Sequence, residues 1–286
     1  MNYIDAFYQS DDGLRLYARD YPGPAPDAPV ILCLPGLTRN SKDFAVLADD
    51  FQRTHRILCP DQRGRGRSAR DPDATRYRPD QYAQDMRVLL NVLEIPTVIV
   101  IGTSLGGLMA ILMMASEPQR IQAAVLNDIG AEVDPRGIAR IAGYVGQTSP
   151  AHSWDEAAEQ TAVTNGAAFP DFGSNDWRTM ARDLYVQEGR VPVLDYDPAI
   201  ALGLASGTAA PTLWPLFGML REKPLLVIRG EVSDILSVET LAEMTRRLPR
   251  LVSLTVPGRG HAPTLNEPGA RDAIAQFLRS LDSTAG

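Results

Sequence analysis

Cysteine, histidine and lysine are scarce: the 286-residue chain holds two cysteines, three histidines and only Lys42 and Lys223 as lysines. Cys33 and Cys59 lie inside apolar runs, which excludes a disulfide framework and predicts buried, reduced thiols, as in a cytoplasmic protein. The histidines and cysteines are scattered without metal-ligand spacing, so no metal site is expected. Neither a Gly-x-x-x-x-Gly-Lys phosphate loop nor a Gly-x-Gly-x-x-Gly dinucleotide turn occurs, and no cofactor is expected. Arginine supplies the other 26 of 28 cations, but the formal net charge is −7 and no long basic run exists, which argues against a nucleic-acid partner. The longest apolar stretch, Leu105–Ala115, falls short of the roughly 20 residues of a membrane span. Met1–Ser10 has neither the cationic nor the apolar region of a leader, so a soluble protein that stays where it is made is expected.

What is present is a globular composition, 44% hydrophobic, in a length that can bury a substantial core. Short β-branched runs at Pro29–Leu34, Arg56–Pro60, Thr97–Ile101, Ala123–Asn127, Pro224–Arg229 and Leu251–Val256 alternate with helical patterns. Continuous apolar strands of this kind belong to a parallel sheet covered on both faces. Tyr82, Met86, Leu89, Leu90 and Leu93 repeat at helical spacing, as do Ile274, Phe277, Leu278 and Leu281. Tyr3–Asp20 alternates about a turn at Asp11-Asp12-Gly13 and predicts an antiparallel hairpin on the sheet edge.

The βα rhythm breaks once. Residues 131–220 show no convincing strand, but Ser153-Trp154-Asp155-Glu156 is a capping box and Asp197-Pro198 an N-cap with proline at the first helical position. The expectation is an α/β core of residues 1–130 and 221–286, with a helical lid over 131–220.

Gly102-Thr103-Ser104-Leu105-Gly106-Gly107 stands between the strand ending at Ile101 and an apolar helix. Gly-x-Ser-x-Gly in that context bends the chain sharply and projects the serine hydroxyl into a cleft, which makes Ser104 the candidate nucleophile. A serine hydroxyl needs a base, and the base needs an orienting carboxylate. His55 precedes a strand and His152 adjoins a helix cap, whereas His261 follows the last strand at the same sheet edge as Ser104. For the acid, Asp234 follows the strand Pro224–Arg229; Asp128, which ends another strand, and Glu231 are rivals. The backbone amide of Leu105 and that of Leu37, in the loop Leu34-Pro35-Gly36-Leu37, are the expected oxyanion donors.

With these motifs in place the sequence resembles the α/β-hydrolase family, specifically its lid-bearing serine hydrolases, across nearly the whole chain. The order Ser104, Asp234, His261 is the family's order. Pro60-Asp61-Gln62-Arg63-Gly64-Arg65-Gly66-Arg67-Ser68 is similar to its Asp-x-Arg-Gly-x-Gly-x-Ser segment, and Gly260-His261 is followed by Glu267-Pro268. The resemblance implies a mostly parallel eight-stranded sheet flanked by helices, with the lid after strand 6. It also implies that the Arg63–Arg70 cluster is a hydrogen-bonded turn rather than an anion site. Pro35-Gly36 departs from the family's His-Gly, removing a side-chain hydrogen bond behind the oxyanion loop. Ser104 separates the chain from members with an attacking aspartate, and Thr103 and Ala262 replace the Asn and Trp frequent in carbon–carbon bond hydrolases.

The expected activity is cofactor-independent hydrolysis of a carboxylic ester or lactone, with carbon–carbon bond hydrolysis or a ligand receptor on the same fold as alternatives. Arg39 is a candidate for an anionic substrate group. Trp154, Trp177, Trp214 and Phe217 are candidates for an apolar pocket wall.

Overall fold

The computed structural model describes residues 3–147, 150–203 and 212–282. Of the expected insertion, residues 148–149 and 204–211 lie outside these. The chain opens with the hairpin β1 (Ile4–Gln9) and β2 (Arg15–Tyr21), then runs through β3 (Val30–Leu34), α1 (Ala45–Phe51) and β4 (Arg56–Asp61). α2 (Pro79–Val92), β5 (Val98–Thr103), α3 (Leu105–Ser116) and β6 (Ile121–Asn127) continue the rhythm. It then leaves the sheet through α4 (Pro135–Ala142), α5 (Trp154–Asn165), α6 (Ser174–Leu184), β7 (Tyr185–Glu188), β8 (Val191–Leu194) and α7 (Trp214–Met219). β9 (Leu225–Gly230), α8 (Val238–Arg247), β10 (Leu251–Val256) and α9 (Pro268–Asp282) return it to the core.

Eight of the described strands form one sheet in the order β1-β2-β4-β3-β5-β6-β9-β10. β2 pairs antiparallel with both β1 and β4, and the remaining pairings are parallel. Side chains of successive strand residues point to opposite faces. Ile31, Cys33, Ile57, Cys59, Ile99 and Ile101 accordingly pack with residues of α1 and α9, while Leu32, Leu34, Leu58, Val98 and Val100 pack with α2 and α3. Both cysteines are free and buried. Burying a large aliphatic side chain contributes about 1.5–3 kcal/mol, so β5, buried from Val98 to Gly102, is a firm base for the turn that follows it.

The inserted segment departs from expectation in two places. It holds a two-stranded hairpin, β7–β8, which sequence reading missed because the strands are short and Pro192 interrupts the second. Its two-residue turn needs positive φ, supplied by Gly189 at +58°. Asp197 does cap the following turn, accepting from the Ala199 amide at 3.0 Å, but Pro198–Gly203 is a 3-10 helix. Ser153 caps α5 as expected, accepting from the Glu156 amide at 3.1 Å.

Ala157, Phe169, Met180, Ala181 and Leu184 form a small apolar cluster of the segment's own. Polar bonds then fasten it to the core. Lys42 Nζ donates to the carbonyls of Arg182 and Tyr185 and to Asp195, and Asn40 Nδ2 donates to the Asp183 carbonyl and to Asp195. The Asp61–Ser68 turn joins the same seam: Gly66 N–H donates to Asp195 O and Asp197 N–H to Gly64 O.

Candidate active site

The carboxyl ends of β3, β5, β6, β9 and β10 lie along one edge, where open α/β sheets gather reacting groups. Between β5 and α3 the chain reverses at Ser104, held at φ 51°, ψ −113°, outside the regions an L-residue favours. Two glycines permit this bend. A Cβ on Gly102 would lie 2.4 Å from the Gly106 carbonyl carbon, and one on Gly106 would lie 2.0 Å from Leu34 O. The Ser104 amide donates to Asn127 O at 2.9 Å, which fixes the turn against β6.

His261 Nε2 stands 2.8 Å from Ser104 Oγ, and its Nδ1 stands 2.7 Å from Asp128 Oδ2. A carboxylate only accepts, so Nδ1 carries the proton toward Asp128 and Nε2 is left to accept from the serine hydroxyl. Asp128 is fully buried, with φ 57°. Its Oδ1 accepts from the Gly230 amide at 2.8 Å, and its Oδ2 also accepts from Ser233 Oγ at 2.5 Å. Asn127 Nδ2 donates to Pro263 O at 2.8 Å, holding the segment that follows His261.

The structure therefore brings Ser104 and His261 together, but the carboxylate on His261 is Asp128 rather than Asp234, which was expected from its place after the strand Pro224–Arg229. Asp234 is bound by Arg140 of α4, with Nε and Nη2 at 2.5 and 2.9 Å from its two oxygens. That guanidinium holds the Asp234 carboxyl below the usual carboxylate range, against the opposing effect of burial. Glu231, the third candidate, accepts from the Gly258 amide at 2.8 Å and braces a turn. Ser233 and Asn127 were not foreseen; nothing in local sequence pattern marks their long-range partners.

Leu37, expected as an oxyanion donor, lines a cavity of about 480 Å³ together with Ser104 and His261. Its loop abuts Ser104, since a Cβ on Gly36 would lie 3.9 Å from Ser104 Cβ. Leu105 opens α3, where the first amide has no partner within the helix. Ile141, Tyr144, Phe169, Phe172 and Met180 of the inserted segment supply apolar cavity wall.

Arg39 also lines the cavity, but in a bidentate pair with Asp43 at 2.7 and 2.8 Å. Trp154, Trp177, Trp214 and Phe217, expected at the pocket wall, do not line the cavity. Trp154 Nε1 donates to Gln187, with the Arg182 guanidinium 3.7 Å above its ring. Trp177 packs behind Phe169 and Phe172. Trp214 donates to Glu132 and stacks under Arg247, and Phe217 is buried in the core. The indole N–H groups explain part of this: each of those two tryptophans is satisfied by a polar partner away from the cavity.

On the α6 wall, Asp183 makes no ion pair or side-chain hydrogen bond among the described residues. Burial, with repulsion from Asp43, raises its pKa to about 6. In the Asp61–Ser68 turn, buried Arg63 pairs with Asp12, Asp71 and Asp85, so that part of the basic cluster is internally neutralised. Among the described residues no group of three or more His, Cys, Asp and Glu side chains is placed to hold a metal ion, and no helix is long and apolar enough to cross a membrane.

Comparison with known proteins agrees with this architecture. The family model for the α/β-hydrolase fold matches residues 29–268. A 3-hydroxybutyrate-oligomer hydrolase from Cupriavidus necator is 34% identical over 281 residues, covering 94% of each chain. A 2-(acetamidomethylene)succinate hydrolase from Mesorhizobium japonicum is 26% identical, covering 89% of this chain and 88% of that one. The crystal structure of an α/β hydrolase from Novosphingobium aromaticivorans superposes with a TM-score of 0.92 at 44% identity, over 97% of this chain and 98% of that chain. Matched over most of its length in sequence and in fold, this chain is a member of the α/β-hydrolase family.

Proposed function

We propose that this hydrolase cleaves a carboxylic ester through an acyl-enzyme on Ser104, with an ester or lactone of a short hydroxyacid as the substrate class. The observation that carries the reading is the continuous hydrogen-bonded array from Ser104 Oγ through His261 to Asp128, opening on the cavity. His261 Nε2 takes the serine proton as Oγ attacks the carbonyl carbon, and Asp128 stabilises the imidazolium. The Leu37 and Leu105 amides receive the oxyanion. His261 then protonates the leaving alcohol, and a water activated by the same imidazole releases the acid. Residues 131–220 act in this reading as a lid whose apolar wall selects the acyl or alcohol part. The relative named a 3-hydroxybutyrate-oligomer hydrolase supports the hydroxyacyl choice.

The test is turnover of 4-nitrophenyl butyrate, short 3-hydroxybutyrate oligomers, γ-lactones and vinylogous diketones by the wild type and by Ser104→Ala, with fluorophosphonate labelling as a site control. Ser104→Ala is expected to lower kcat by at least about 10³-fold, as loss of a triad nucleophile does elsewhere. Ester turnover that survives in the folded variant overturns the proposal. Diketone cleavage in the absence of ester turnover transfers the same array to carbon–carbon bond hydrolysis, and tight binding of these compounds with no turnover at all points to a receptor.

A further inference from the structure

We propose that Gln62 and Arg65, whose side chains reach from the Asp61–Ser68 turn to carbonyls of the Pro35–Leu37 loop, are positioning residues for the Leu37 amide. The inference rests on the oxyanion role proposed for that amide. Three consecutive carbonyls of the loop are tied down. Pro35 O accepts from Gln62 Nε2 at 3.0 Å, Gly36 O from the Arg39 amide at 3.1 Å, and Leu37 O from Arg65 Nε at 2.8 Å. The Gly36–Leu37 peptide is trans, so the Leu37 N–H points opposite to the Gly36 carbonyl. With the Gly36 carbonyl turned into the loop and its neighbours anchored on either side, the direction of that N–H is fixed before substrate arrives. Here Pro35-Gly36 stands where His-Gly would provide a side-chain hydrogen bond, and the donors come instead from a neighbouring turn.

The environment of Arg65 separates it from an ordinary structural arginine. Arg63, two residues earlier, is buried against three aspartates. Arg65 is equally buried but forms no ion pair among the described residues, and its Nη2 has no hydrogen-bond partner. Its Nη1 donates to Arg63 O at 2.7 Å and to Tyr82 Oη at 3.0 Å, and its guanidinium lies 4.8 Å from the Tyr82 ring centroid. An unneutralised buried cation is costly to folding, and the tyrosine ring offsets only part of that cost. Arg65 Nε donates to the carbonyl of the Leu37–Thr38 peptide, the one that follows the peptide carrying the Leu37 N–H, so the cation anchors the loop beside that donor and adds a positive field there that favours negative charge developing at the reacting carbonyl oxygen. A carboxylate partner, as on Arg63, would cancel this field.

Arg65→Met removes donor and charge, Arg65→Lys keeps the charge but not the planar Nε–H, and Gln62→Met removes the second donor. For each, we would measure kcat, KM, the rate of Ser104 phosphonylation by a fluorophosphonate, and affinity for an alkyl boronic acid, whose serine adduct is tetrahedral and anionic. Loss of one oxyanion-hole donor costs about 10²–10³ in kcat elsewhere, and displacing rather than deleting it in Arg65→Met is expected to cost about 10²-fold. Gln62→Met should cost about tenfold and Arg65→Lys should fall between the wild type and Arg65→Met, with KM within about threefold throughout. Phosphonylation rate and boronate affinity should fall in parallel with kcat. Melting curves identify the variants that fold; if Arg65→Met does not, Gln62→Met and Arg65→Lys decide. Folded variants with wild-type kcat and phosphonylation rates, or with losses confined to KM, overturn the inference while leaving Ser104 as nucleophile. A wild-type protein that resists the fluorophosphonate altogether removes that reading and this inference with it.

Discussion

The loops after β6 and β9 each bring an aspartate close to His261, and they prepare the two carboxylates in opposite ways. Asp128, after β6, is fully buried and surrounded by donors that leave its charge intact: the Gly230 amide, Ser233 Oγ and His261 Nδ1. Asp234, after β9, is about one-third exposed and is matched by a full positive charge on Arg140. His261 also helps lower the Asp234 pKa, so proximity alone does not distinguish the two. An orienting carboxylate needs neutral donors that fix its direction and leave its charge for the imidazolium; a guanidinium spends that charge on a structural tie between β9 and α4. Asp183 on the cavity wall adds a third case: among the described residues its carboxyl has neither a hydrogen-bond donor nor an ion pair, and burial prevails over the nearby cations, raising its pKa to about 6.

The comparison breaks most directly at Asp128. In a Ser-His-Asp site the Asp→Asn change costs about 10⁴ in kcat by stabilising the wrong imidazole tautomer, and Asp128→Asn is expected to lower kcat/KM by about 10³–10⁴. An equal or larger loss in Asp234→Asn, measured on the same ester, would reverse the assignment. Ser233→Ala sharpens the difference by deleting one donor to Asp128; a hydrogen bond to a charged group is worth about 1.5–3 kcal/mol, and a loss of roughly tenfold or more in kcat is expected.

Asp234→Asn should change kcat by no more than about threefold, its consequence lying in stability instead. Its native pKa is depressed from 3.8, so the ion pair's contribution is present above that value and disappears as pH falls through the lower native one. The gap in melting temperature between wild type and Asp234→Asn should therefore be steady near neutrality and close in acid. Asp183 has the opposite sign. Its raised pKa means that the carboxyl stabilises the fold most below about 3.8 and that this contribution is lost as pH rises through about 6. Asp183→Asn should raise the melting temperature slightly at pH above 6, and a gain of equal size at low pH would contradict that environment.

The sheet and the sharp turn at Ser104 were legible because their causes are local. Strands buried on both faces must be apolar at successive positions, and Gly102 and Gly106 are required by backbone contacts within the turn and with β3. The carboxylate on His261 was not legible, because Asp128 and Asp234 both follow strands that end at the same edge, and only their partners, Ser233 after β9 and Arg140 on α4, separate them. The cavity wall was misread for a related reason. Large aromatics were expected to face the substrate, yet Trp154 and Trp214 are turned outward by partners distant in sequence, Gln187 and Glu132. Phe169, Phe172 and Met180 reach the cavity through a folding of the inserted segment that no periodicity announces.

The scarcity of lysine has a practical consequence at the seam between core and insertion. An amine-reactive support or dye meets only two lysine side chains, and neither is idle: Lys223 donates to the Pro118 carbonyl, and Lys42 holds Arg182, Tyr185 and Asp195 across the seam. Acylating Lys42 removes its charge and loosens the fastening between the inserted segment and the loop that carries Leu37 and Arg39. Attachment through an introduced surface cysteine would leave that fastening untouched, since both native thiols are buried beneath the opposite face of the sheet from α2 and α3.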